Sequence, residues 1–472
     1  MPLTRAAVNA ISADPDAPHF FRFRGKRTLL LAAAEHYGSA INKGFDFVAY
    51  LDTLAEHGAN YTRIYPGALF EIPGYFVEDN VLGPSLEELI LPWARSDVPG
   101  ASQGNKFDLD TWDEEYFARL DAFLEAASQR GIVVEICFFN AMYADGWPHQ
   151  ALNAVNNIQA EGTAAVVDFQ TLSDPPLNQR QEDYVREITR RVNHFDNVIL
   201  EIIDEPTLFG TDEERASHWI NRMLEAVIDE EYLLPNKHMI AQQIVGQFGG
   251  PLDFSADPRI AVATGQYVSR NYGNQIGGQE LLDSVWRFDK PIEMNESAYF
   301  PNWYEKDDPV SAVRVDAWEF VVGGGAGYNC LTAHFNNKNP SGKGTDTIRL
   351  LEMLAQLRAF MESFDYGRMR PWIPITEAPD TGFMRGMAEA GRQYMLYIHH
   401  SKLIKRQRYY PSPGHYENEF AMAVPPGRYT LTWIDPASLK VIATETVDHD
   451  SHVLKRKTPL HTVDIALRII VD

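Results

Sequence analysis

Two glutamates, Glu205 and Glu296, each close a short aliphatic run: Val198 to Ile203 leads into Asp204 and Glu205, and Ile292 to Asn295 leads into Glu296. They lie 91 residues apart, which is three strand-plus-helix units of about 30 residues each. If such units build a barrel, the two acids stand on its fourth and seventh strands, across one mouth. Facing carboxylates over a polar pocket suit cleavage of a glycosidic bond. One holds a proton for the leaving oxygen, while the other, ionised, attacks the anomeric carbon or activates water. The pair sustains itself, because the charge of one carboxylate raises the pKa of the other. Either acid could instead be structural, but charged groups are rarely buried unpaired, and packing gives no reason for two at matching strand ends.

The elements that must hold them can be read from the pattern. Eight apolar runs have strand character: Thr28 to Ala34, Tyr61 to Tyr65, Val133 to Phe139, Val198 to Ile203, Met239 to Ile244, Ile260 to Tyr267, Ile292 to Glu296 and Gly327 to Thr332. Helical periods lie between them, as in EYFARLDAFLEAASQRG and EERASHWINRMLEAVIDEEY. This alternation predicts an α/β chain, a (β/α)8 TIM barrel over residues 28–371. Only 15 residues separate Ile244 from Ile260, and glycines interrupt them, so the fifth helix is expected to be short or absent. An open doubly wound sheet is the competing topology. It would place a glycine-rich loop after its first strand, where this chain has Glu35, His36 and Tyr37. Residues 1–27 read as an N-terminal segment with a hairpin turning near Gly25, a plug for the barrel floor. Residues 372–472 change to turn-punctuated alternation and read as a C-terminal antiparallel β-sandwich.

A barrel of this kind builds its site from what finishes each strand. Those residues are Glu35 and His36 after strand one, Arg63 and Tyr65 on strand two, Asn140 after strand three, Asp204 beside Glu205, Tyr267 after strand six and His334 after strand eight. An Arg63 side chain pointing inward would favour the ionised form of a neighbouring glutamate. Trp147 and Trp303 fall in loops on the same side and could stack on sugar faces. The long insertions, about Pro66 to Asp110 and Ala141 to Asn178, could wall a pocket, which favours short substrates or exo action.

Three segments carry a family resemblance. IleIleAspGluPro at 202–206 resembles the strand-four signature of the clan A retaining glycoside hydrolases, LysProIleGluMetAsnGlu at 290–296 resembles their strand-seven segment, and AsnTyrThrArgIle at 60–64 is similar to the segment carrying their strand-two arginine. The resemblance spans the barrel, about three quarters of the chain. It implies a retaining double displacement with Glu205 as acid/base, Glu296 as nucleophile and Arg63 as electrostatic support. RVDAWEFVVGGGAGYNCLT, FMESFDYGRMRPW and GRYTLTWIDP look like the apiosidase-like and cellulase-like barrels that carry a C-terminal sandwich. One position departs from the clan pattern: Asp204 stands where the clan has Asn, and an ionised Asp accepts hydrogen bonds but donates none. That leaves sugar identity open and makes Asp204 a secondary candidate for the acid.

Composition sets the outer limits. With 42 Lys plus Arg against 65 Asp plus Glu, the net charge of −23 repels a phosphate backbone and an anionic leaflet, so nucleic acid and membrane are excluded as default partners. A neutral carbohydrate is the expected partner; self-association into a homo-oligomer stays open. The first residues lack the apolar core of a secretion signal, and two cysteines cannot make a disulfide framework, so a cytoplasmic setting is expected. No cofactor or metal is expected. A metal-dependent barrel hydrolase could draw on Glu35, His36, Asp204 and His334, but strand one lacks the His-x-His such barrels place there. A non-catalytic carbohydrate-binding barrel is the remaining alternative.

Overall fold

In a computed structural model, which describes residues 10–75, 79–100, 104–268, 276–303, 308–371, 375–404 and 408–472, the eight runs all form strands of one sheet. They are β1 (Leu30–Ala34), β2 (Tyr61–Ile64), β3 (Val133–Asn140), β4 (Val198–Asp204), β5 (Met239–Gln243), β6 (Val262–Gln266), β7 (Ile292–Glu296) and β8 (Gly327–Thr332). Neighbours pair in parallel from β2 through β8, and β8 pairs with β1. The closure is nearly complete. Between β1 and β2 no ladder forms; Asn60 spans the gap, donating from its backbone to the Leu31 carbonyl at 3.4 Å and accepting from the Leu31 amide at 3.0 Å through its side chain. β3, β4 and β7 are buried along their whole length, as expected of a sheet enclosed by helices.

Helices α1 (Phe47–Glu56), α2 (Glu114–Gln129), α3 (Pro175–Val192), α4 (Glu213–Tyr232), α5 (Gly278–Val285), α6 (Pro309–Val322) and α7 (Asp346–Glu362) surround the strands. Residues 244–261, between β5 and β6, contain no helix, in line with the glycine-broken sequence there. Asp46, Asp113, Asp174, Asp212 and Asp308 each accept backbone N–H groups at a helix start, which gives part of the acidic surplus a structural use. Each such cap contributes about 1 kcal/mol.

The N-terminal strands Ser12–Asp14, Ala17–Phe23 and Lys26–Thr28 form an antiparallel sheet that turns at Arg24 and Gly25, both in the left-handed region. It seals the end where strands begin: Arg24 holds Asp196, just before β4, at 2.8 and 2.9 Å, and the His19 ring stacks on Trp286, ahead of β7, at 3.8 Å. These contacts bring the hairpin against the barrel floor.

At the C-terminal side, strands Phe383–Glu389, Gln393–His399, Asp464–Val471, Gly427–Ile434 and Val441–His449 form an antiparallel sheet, and Ile375–Glu377, Glu419–Ala423 and Val453–Lys457 form a second. Tyr394, Leu396, Phe420, Leu431, Trp433 and Leu467 fill the space between them. This sandwich rests on α6, which is buried almost all round. Arg314 of α6 grips Asp464 through Nε at 2.8 Å and Nη2 at 3.0 Å, and the Tyr397 hydroxyl donates to the same carboxylate at 2.8 Å. No helix among the described residues is long and apolar enough to cross a membrane.

Candidate active site

At the C-terminal mouth of the barrel lies a cavity of about 430 Å3. Glu205 and Glu296 both line it, as do Asp204, His36, Tyr65, Asn140, Tyr267 and Trp303. Strand geometry accounts for this convergence. β4 delivers Asp204 paired with Asn140 of β3, and β7 delivers Glu296 paired with Gln266 of β6. Glu205 then leaves the strand with a φ of +49°, a left-handed conformation that costs roughly 1–3 kcal/mol in a non-glycine residue. Its backbone N–H is held by the Gln243 side chain at 2.5 Å. Tyr37, at φ +58°, turns the chain in the same way after β1.

The two glutamates have different neighbours. Glu296 accepts from the Tyr37 hydroxyl at 3.2 Å, and Arg63 Nη1 stands 4.0 Å from the same oxygen. Glu205 accepts from the Tyr267 hydroxyl at 3.3 Å. Burial, followed by the charges of Asp204 and Glu205, pushes the Glu296 carboxyl well up, while Arg63 and the Tyr37 hydroxyl act in the opposite sense. The charge of Glu205 is thus among the causes that raise Glu296, the electrostatic condition for a pair holding one proton between them.

Asp204 does not share that freedom. It accepts from Tyr65 at 2.5 Å, Asn140 at 2.9 Å and Gln266 at 2.6 Å, and Arg63 Nη2 lies 3.1 Å away. This geometry makes Asp204 an organiser of its neighbours.

Arg63 does point into the barrel, but below the cavity lining. It is fully buried, and its nearest partner is Glu201, which both Nε and Nη2 reach; Asp204 follows at 3.1 Å and Glu135 at 3.5 Å. Its ring neighbours are Tyr37 and Tyr65, with centroids at 5.0 and 5.5 Å. Glu135, Glu201 and Glu293 form an interior acidic layer that the strand-end reading missed. Burial drives all three up, Glu135 to about 8 and Glu293 to about 7. Their signal was in the sequence: each is a glutamate flanked by apolar residues inside a strand run.

Besides Arg63, three expected site residues lie outside the cavity lining. Glu35 folds back to accept from the Gly38 and Ser39 amides at 3.0 and 3.2 Å and from the Ser39 hydroxyl at 2.8 Å, holding the turn after β1; burial pushes it up to about 7. Trp147 packs on Phe169 and donates to the Ala164 carbonyl at 3.1 Å. His334 bonds the Thr347 hydroxyl at 2.9 Å and sets its ring edge-on to Phe300. Conversely, the lining includes Tyr37, Leu69, Glu71, Tyr143, Leu208 and Phe209, which the site reading did not select. Glu71 and Tyr143 come from the two long insertions, so those segments do wall the pocket. Among the described residues, no three His, Cys, Asp or Glu side chains converge to hold a metal ion.

No protein-family model and no curated protein sequence matches the chain. Solved structures do match in shape. A candidate glycoside hydrolase from Bacteroides vulgatus aligns with a TM-score of 0.62 at 13% identity, over 99% of this chain and 83% of that one. A glycoside hydrolase family 5 protein from the same organism aligns with a TM-score of 0.59 at 11% identity, over 98% and 94%. The endo-1,4-β-mannanase of Rhizomucor miehei aligns with a TM-score of 0.50 at 13% identity, over 75% of this chain and all of its own. At such identities the likeness establishes the fold: a (β/α)8 barrel which, in the Bacteroides pair, matches through the sandwich as well.

Proposed function

We propose that the chain is a glycoside hydrolase that cleaves a neutral glycoside by retaining double displacement. One observation carries the reading: Glu205 and Glu296, brought from strands four and seven, face a single cavity, each with a tyrosine hydroxyl directed at it. The structural likeness to proteins named as glycoside hydrolases supports the same class.

In this reading the proton held by the pair resides on Glu205, because the Arg63 guanidinium and the Tyr37 hydroxyl favour the charge at Glu296. The Glu296 carboxylate attacks the anomeric carbon while Glu205 gives its proton to the glycosidic oxygen, and the bond to the aglycone breaks. Water then attacks the same carbon, Glu205 takes its proton, and the Glu296 ester is released. Asp204, with its own acceptor positions taken, holds Asn140 and Tyr65 on the cavity lining, where they can meet a sugar hydroxyl next to the reacting carbon.

Kinetics of two variants test this. Glu296→Ala is expected to abolish turnover, whereas Glu205→Ala should spare aryl glycosides with good leaving groups more than poor ones, because those need no acid. NMR of the first-formed product should show the anomer of the substrate. Turnover by Glu296→Ala equal to the parent, or an inverted first product, would sink the assignment.

A further inference from the structure

The cavity walls are not alike. Where β1 and β7 end, the lining is His36, Tyr37, Glu296 and Tyr299, with Glu71 accepting from the His36 ring at 3.2 Å. Over the ends of β3 and β4, where Asn140, Asp204 and Glu205 also line it, the loops add Tyr143, Leu208 and Phe209, and Leu69 and Leu82 extend this apolar wall from the first insertion. Leu331 is an apolar interruption of the polar side.

The apolar wall belongs to the same loop as Glu205. Phe209 is 42% exposed, yet its place relative to the carboxyl is set by the loop itself. The Leu208 N–H donates to the Glu205 carbonyl at 3.2 Å, the Gly210 N–H to the Thr207 carbonyl at 3.0 Å, and Thr207 is anchored to Gln170 at 3.2 Å. Its ring meets Tyr143 edge-on at 5.0 Å, and Tyr143 in turn leans on Tyr75 at 5.5 Å. An aromatic ring kept in water by its own turn, at the mouth of a cavity, is a surface waiting for a partner.

What occupies it follows from the chemistry of the acid. A group that protonates the glycosidic oxygen stands beside the leaving group, so residues of its own loop touch the aglycone. A sugar there would need hydrogen-bond partners for several hydroxyls, and of these five side chains only Tyr143 has a polar atom. Resting on the glycosidase reading above, we propose that Tyr143, Leu208 and Phe209 form an aglycone subsite for a flat aromatic group, so that the substrates are aryl glycosides and not sugar chains.

The test uses phenyl and 2-naphthyl glycosides, whose leaving groups are of similar acidity, together with disaccharides, each made from glucose, mannose, galactose and xylose in both anomers. For the sugar that is turned over, the parent should favour 2-naphthyl over phenyl in kcat/KM and cleave the disaccharide least. Phe209→Ser should cut the naphthyl-to-phenyl ratio by roughly tenfold, the scale of losing a small apolar contact in a pocket, and Phe209→Leu should restore most of it. A parent that cleaves disaccharides as well as naphthyl glycosides, or a ratio untouched by Phe209→Ser, overturns the inference while Glu296-dependent hydrolysis leaves the glycosidase reading standing. If no glycoside in the panel is hydrolysed, both fall.

Discussion

Removing one hydroxyl should move the acid limb of the pH profile. The ring of Tyr37 is buried between β1 and β7, and its oxygen accepts from Asn329 Nδ2 at 3.3 Å. Its single proton is therefore left for Glu296 Oε2 at 3.2 Å or the Asn295 carbonyl at 3.4 Å. A hydrogen bond to a charged group contributes about 1.5–3 kcal/mol. Here the distance is long for a charge-assisted O–H···O bond and the proton is contested, so the low end applies, about 1.4 kcal/mol, or one pH unit. The sign follows from the mechanism. The nucleophile must be ionised, the hydroxyl favours that form, and the Glu296 carboxyl already stands well above the ordinary range through burial and its acidic neighbours. In Tyr37→Phe the acid limb of kcat/KM, measured with an aryl glycoside from pH 4 to 9, should rise by about one unit. The phenyl ring retains its edge-to-face contact with Tyr65 at 5.1 Å, and Asn329 still donates to the Asn295 carbonyl at 3.0 Å, so the fold is not the variable. An acid limb that stays put or moves down would refute the assignment of Glu296 as the ionised partner.

Two further expectations concern stability. Glu293, buried and pushed up to about 7, binds a proton more tightly folded than unfolded, so its contribution is complete below the unfolded value near 4.5 and is lost as pH rises through 7. Glu293→Gln keeps an oxygen for the Thr264 hydroxyl at 2.7 Å and should melt like the parent near its acid end but above it at pH 8, by the equivalent of about 2–3 kcal/mol; equal melting curves at pH 8 refute this. Asp464→Ala strands the Arg314 guanidinium at the barrel–sandwich contact and should cost about 3–5 kcal/mol in urea unfolding. A loss under about 1 kcal/mol would mean that apolar packing alone seats the sandwich on α6.

The barrel was readable because its strands are buried on both faces and therefore appear as uninterrupted apolar runs, each stopped by a polar residue. That pattern located all eight strands and the missing fifth helix, and it brought Glu205, Glu296, Asp204, Asn140, Tyr65 and Tyr267 to one cavity. It failed where a residue's role depends on its rotamer or on a loop's path. Glu35 and His36 are adjacent at the end of β1, yet Glu35 satisfies its own turn while His36 enters the cavity; nothing in their spacing distinguishes them. Trp147 and Phe209 both follow strands in loops, and tertiary contact buried the first and left the second at the mouth. Arg63 could be aimed inward from its place in YTRIY, but its main partner, Glu201, lies 138 positions away and is visible only once β2 and β4 are set across β3.

That partnership explains how one cation can serve so acidic a centre. Arg63 is within 4.0 Å of Glu135, Glu201, Asp204 and Glu296, and four ionised carboxylates around one buried guanidinium would be prohibitively repulsive. Burial resolves the conflict by driving Glu135 and Glu201 up toward their protonated forms, with Tyr61 and Asn295 hydrogen-bonded to them. The positive charge is thereby directed at the cavity side of the barrel, toward Asp204 and Glu296, instead of being cancelled from below. Among the described residues the cavity lining holds Glu71, Asp204, Glu205 and Glu296 but no lysine or arginine, which on the proposed reading disfavours an anionic sugar. On the glycosidase proposal, the acidity that charges the whole chain to −23 reaches the site in a form that favours neutral glycosides, and Arg63 is what allows that site to hold an ionised nucleophile.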